Sequence, residues 1–76
     1  MDAEATATPE LRVFMLRRLE RFAALAASPT VAEVGSVQRL ARHAVLSAYR
    51  DCVAHGLAED ATAVLDRVRR RAPQAA

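Results

Sequence analysis

Apolar positions along this chain recur at helical rather than strand spacing. Leu11, Met15, Leu19, Phe22 and Ala26 follow one another at intervals of four, four, three and four, which puts them on one helical face with Arg17, Arg18 and Arg21 largely opposite. Thr8-Pro9-Glu10 opens this helix. The Thr8 hydroxyl can accept from a free N–H of the first turn, Pro9 sits where its missing N–H has no partner to lose, and Glu10 meets the positive end of the dipole. The helix should run to about Ala27, since Pro29 drives Ser28 out of the helical region.

Thr30-Val31-Ala32-Glu33 has the form of a capping box, so the pattern predicts one long second helix from Val31 to His55. Gly35-Ser36 is its weak point. A glycine inside a helix costs about 1 kcal/mol relative to alanine, and Ser36 can itself cap, so residues 30–35 forming a separate short turn is the alternative. Val34, Val37, Ala41, Ala44, Ala48 and Cys52 make the main apolar face. His55-Gly56-Leu57 fits a Schellman ending, with Gly56 left-handed and Leu57 folded back. In the third helix Glu59 and Asp60 suit the N-terminus, and Leu57, Ala61, Val64, Leu65 and Val68 form the apolar stripe. Arg69, Arg70 and Arg71 suit the last turn, and Pro73 closes it. The expectation is an all-α, small three-helix domain with a C-terminal αα-hairpin over residues 8–72, between disordered tails at residues 1–7 and 73–76.

Composition narrows the picture. The chain has 76 residues and 53% of them are nominally hydrophobic, but 18 of those are alanine, leaving 21 Val, Leu, Met, Phe and Tyr side chains to build a core. Such a core is thin, and association with another chain would help it. Cys52 is the only cysteine, which excludes a disulfide scaffold and suits a reducing compartment. The N-terminus is acidic and lacks the basic and long apolar regions of a secretory signal, and the longest apolar run, Phe22 to Ala27, is far too short to span a membrane. A cytoplasmic protein is expected. All eleven basic residues are Arg, while Lys, Ile and Asn are missing and Ala is in excess. These preferences follow G+C-rich codons and point to a bacterial gene, in which Arg is the default surface cation rather than a marker of phosphate recognition.

The chemistry-bearing residues are few. Cys52 and His55 lie one helical turn apart, but a structural zinc site needs four ligands, and no third catalytic group or oxyanion loop accompanies the pair. Cys52 reads as a small buried hydrophobe, and no metal, cofactor, small-molecule substrate or catalytic residue is expected. His43, among Arg39, Arg42 and Arg50, reads as a solvated surface histidine. Nucleic-acid binding is the alternative, because outside the acidic tail 11 Arg face 7 acidic residues and the last helix ends in Arg67-Val68-Arg69-Arg70-Arg71. Against it, the helix following the Gly56 turn would present Glu59 and Asp60 to phosphate. The Arg run also has a simpler role at the negative end of the dipole, with Asp66 pairing with Arg70. The first helix, with Phe14 and Phe22 opposite its arginines, reads as a core helix rather than one lying on a membrane surface.

A second apolar face is the most informative feature. Arg42, Leu46, Tyr49 and Val53 fall at intervals of four, three and four, well round from the alanine-rich stripe, and Val13 and Leu16 lie off the main face of the first helix. Two faces suggest two partners, and Leu, Tyr and Val flanked by arginine is the composition of an interface centre. The sequence therefore predicts a non-enzymatic protein–protein interaction module, a small bacterial regulator or adaptor acting as a homodimer or docked on a larger protein. Its predicted contact residues are Arg42, Leu46, Tyr49, Arg50 and Val53.

Overall fold

A computed structural model of the chain describes residues 7–71. Of the expected tails, residues 1–6 and 73–76 lie outside the described residues, as does residue 72, whereas Ala7, expected in the first tail, packs half-buried against the core. The described chain is all-α, with three principal helices and one short helical turn: α1 (Pro9–Ala26), α2 (Pro29–Ala32), α3 (Gly35–Ala54) and α4 (Ala58–Arg71).

The termini follow the sequence closely at α1 and at the hairpin. Thr8 Oγ1 accepts from Leu11 N–H at 3.1 Å, with Pro9 in the first turn. At the end of α3, Leu57 N–H donates to Cys52 O at 2.8 Å and Gly56 N–H to Val53 O at 3.1 Å, the paired bonds of a Schellman ending, with Gly56 at φ +75°. The next helix starts at Ala58, immediately after Leu57, and Leu57 itself is buried.

Two expectations about the second helix are corrected. The helix is not continuous from Val31, because Val34 takes an extended conformation (φ −116°, ψ 97°) and α3 begins at Gly35. A glycine is better tolerated at a helix start than inside it, and the break places Gly35 there. Nor does Thr30 cap anything. Ser28 precedes α2 without a side-chain cap bond, and the short helix is closed by Glu33 N–H to Thr30 O and Val34 N–H to Val31 O.

The core consists of Met15, Leu19 and Ala23 from α1, Ala48 and Cys52 from α3, Leu57, and Ala61, Val64 and Val68 from α4. With alanine and cysteine at the buried positions of α3, a small number of larger side chains from α1 and α4 fills the space. Leu16 is not spare surface: it packs half-buried against this core. Arg12 and Glu20, four residues to either side of it, reach Asp60 at 2.9 Å and Arg71 at 2.9 Å, so this row of α1 lies under α4. The same two bridges make α1 and α4 run parallel. Arg18 to Asp51, at 3.2 Å, ties another flank of α1 to the antiparallel α3.

The α3 face extends beyond what α4 covers. Ala48 and Cys52 are buried and Ala41 and Ala44 half-buried, but Val34 and Val37, expected on the same core face, are exposed. With 14 residues against 20, α4 is about 9 Å shorter than α3. Its last turns reach the level of Val45 and Arg42, which share an open recess of about 440 Å³ with Ala26, Val68 and Arg69. The first turns of α3 project past that point.

Candidate interaction surface

The five residues predicted to make contacts divide between two environments. Leu46 and Val53 are exposed at 46% and 45%, and Arg42 and Arg50 are exposed beside them. Tyr49 is instead half-buried against the core, with its hydroxyl 3.4 Å from Thr62 Oγ1 on α4. Leu46 and Val53 therefore border the α3–α4 seam, and Tyr49 supports them from within it. Arg42 stands across the recess from Arg69. On the other side of Leu46, a smaller recess of about 180 Å³ is lined by His43, Ser47, Arg50 and Asp51.

Cys52 and His55 are not turned to a common task. Cys52 is fully buried, its Sγ lies 3.9 Å from Met15 O, and burial, with a smaller contribution from Asp51, pushes its thiol above the ordinary value. That protonated, enclosed sulfur is a packing atom. His55 Nδ1 lies 2.9 Å from Asp51 O at the end of α3. Among the described residues no group of three or more His, Cys, Asp or Glu side chains is placed to hold a metal ion.

Much of the arginine is engaged within the chain. Arg71 donates to Glu20 at 2.9 Å, and Arg67 stands 3.5 Å from the same carboxylate. The Arg71 hydrogen bond, helped by the charge of both arginines and opposed by partial desolvation, holds Glu20 below the usual carboxylate range. Asp66 reaches Arg69 at 3.9 Å, one turn on, rather than Arg70. At the other end of α4, Asp60 accepts two bonds from Arg12, at 3.1 and 2.9 Å.

Sequence reasoning passed over Leu40 and Leu25 and put Phe14 and Phe22 on a core helix opposite its arginines, whereas Phe14 is exposed and both rings lie beside Arg17, Arg18 and Arg21. Leu40 is 71% exposed and Phe14 61%, and Leu25 is also exposed. Phe14 lies in an open groove along α1 with Val13, Arg17, Arg21 and Phe22. Leu40 shares neither the Leu46 row nor the Ala41, Ala48 and Cys52 row. The spacing of Val37, Leu40 and Ala44 marks it as part of a third row on α3, at intervals of three and four.

These features define a small all-α domain with exposed apolar helix faces. Comparison with known proteins adds no family to that description: no family model, curated protein or solved structure matches the chain. Among the described residues, no helix is long and apolar enough to cross a membrane.

Proposed function

We propose that this chain is a non-enzymatic protein–protein interaction module, a small regulator or adaptor of the bacterial cytoplasm that acts as a homodimer or docked on a larger protein. Its docking stripe is Leu46 and Val53, braced by Tyr49 and flanked by Arg42 and Arg50. One observation carries the reading. On α3 the fully buried positions are alanine and cysteine, Ala48 and Cys52, whereas Leu46 and Val53, much larger apolar groups, are left about half exposed. Burying such groups against another protein releases water from apolar surface, and the neighbouring arginines supply a polar rim. The placement of Cys52 and His55 supports the non-enzymatic part, since one is sealed in the core and the other is held at a helix end. Against the nucleic-acid alternative stand Asp60 at the start of α4 and the engagement of Arg12, Arg18, Arg67 and Arg71 by carboxylates of the same chain.

The test is quantitative affinity capture from the native host with the wild-type chain and with Leu46→Glu. A charge forced into a desolvated contact costs more than about 2 kcal/mol, so a genuine partner is depleted at least roughly 30-fold by the variant while helix content stays unchanged. Equal capture by both proteins would show that the stripe is ordinary surface.

A further inference from the structure

We propose that a second copy of this chain covers the face of the α1–α3 pair that lies opposite α4, making the protein an isologous homodimer. This goes beyond the docking stripe, which borders the other flank of α3, and it rests on the interaction-module reading only in requiring a binding surface.

The face is located by its ion pair. On α1 the row Leu11, Phe14, Arg18, Phe22 and Leu25 runs at intervals of three, four, four and three. On α3 the row Val37, Leu40, Ala44, Ser47 and Asp51 runs at three, four, three and four. Arg18 bridges to Asp51, so the two rows lie side by side. α4 is held by different rows, through Arg12 and Glu20 of α1 and Tyr49 of α3. Behind α4 the pair therefore presents a two-helix surface on which Leu11, Phe14, Leu25, Val37 and Leu40 are all exposed. Phe22 is partly buried there, with the Arg18 guanidinium 5.7 Å from its ring centre.

A second copy fits for two reasons. The first is self-complementarity. Phe14 and Leu25 are 11 positions apart (25 − 14), so a two-fold axis midway between them falls within two residues of Arg18. That axis carries Phe14 of one copy onto Leu25 of the other. Leu40 lies about 16 Å along the pair from the bridge, on the Leu25 side, and is carried towards Leu11. Arg18 and Asp51 fall near the axis already paired with each other at 3.2 Å, so neither brings an unpaired charge to the centre of the contact. The second reason is size. A helix of 18 residues is about 27 Å long and two packed helices are about 20 Å wide, giving roughly 540 Å² in projection and more over the ridged surface. That approaches the ~800 Å² per partner of a standard stable interface.

Mass measured by sedimentation equilibrium on the full chain, from micromolar to millimolar concentration, is the test. The wild type should pass from the 8.2 kDa chain mass to twice that value. Leu40→Glu should keep its helix content and weaken dimerisation at least about 30-fold, and Phe14→Glu, at the opposite end of the face, should do the same if Leu40→Glu fails to fold. Leu46→Glu should leave the dimer intact, so loss of partner capture and loss of dimer report separately. A wild type that stays at 8.2 kDa throughout, or a dimer lost with Leu46→Glu and kept with Leu40→Glu and Phe14→Glu, overturns the proposal.

Discussion

Leu19 is the largest apolar side chain with no exposed surface, and it sits in a core otherwise made largely of Ala, Val and Cys. Leu19→Ala removes three carbons, about 2.4 kcal/mol at about 0.8 kcal/mol each. The void is hard to refill, because the nearby core positions Ala23, Ala48, Cys52 and Ala61 carry side chains too short to swing in, so part of the cavity energy is added. The expected loss is about 3–4 kcal/mol. A domain of this length has a total stability of about 4–11 kcal/mol, so the substitution takes about a quarter of it or more. Urea unfolding followed by circular dichroism measures the loss at one fixed protein concentration, since a chain that associates has a stability that depends on its concentration. The thermal midpoint should fall by about 12 °C or more. A loss below about 1 kcal/mol would mean that Leu19 is not the centre of the core and that α1 packs through another face.

Three further outcomes follow from local geometry. The two glycines should respond with opposite signs: Gly56→Ala costs about 1 kcal/mol because φ is +75° while the space around it is open, whereas Gly35→Ala, at a helix start with only Arg39 Nη1 at 3.9 Å, stabilises by about 0.4–1 kcal/mol; chemical unfolding of both variants checks this. The Cys52 thiol should resist a thiol-reactive dye in the native chain and react at the rate of opening, and prompt stoichiometric labelling would contradict its burial. Glu20 has a lowered pKa when folded, so its stabilisation is present above the ordinary carboxylate range and fades as pH falls through that range towards the folded value. Glu20→Gln should flatten the acid limb of the stability profile, and an unchanged profile would show that the Arg67 and Arg71 contacts are not formed in solution.

The caps, the Schellman turn and the helical class were legible because each rests on a few adjacent residues: Thr8-Pro9-Glu10 and His55-Gly56-Leu57 dictate their own geometry. The break at Val34 was harder, since Thr30 and Glu33 mimic a cap and the choice depended on how α2 and α3 pack. What periodicity does not encode is which neighbour covers a given row. Leu16 reads as spare until Arg12 and Glu20 are seen to grip α4, and Val37 reads as core until α4 proves too short to reach it. For the same reason Leu46 and Val53 were found from their spacing, while Leu40 and Phe14 needed the Arg18–Asp51 bridge to show that their rows look the same way.

Side-chain and amide chemical shifts recorded from micromolar to millimolar concentration show, residue by residue, whether exposed apolar helix faces are where this protein makes contact, and which face takes a second copy. The shifts should move together at Leu11, Phe14, Leu25, Val37 and Leu40, with little change at Leu46, Val53 and the buried Leu19. Spectra that do not change with concentration, or changes confined to the Leu46 and Val53 flank, would contradict the assignment of the α1–α3 face to self-association.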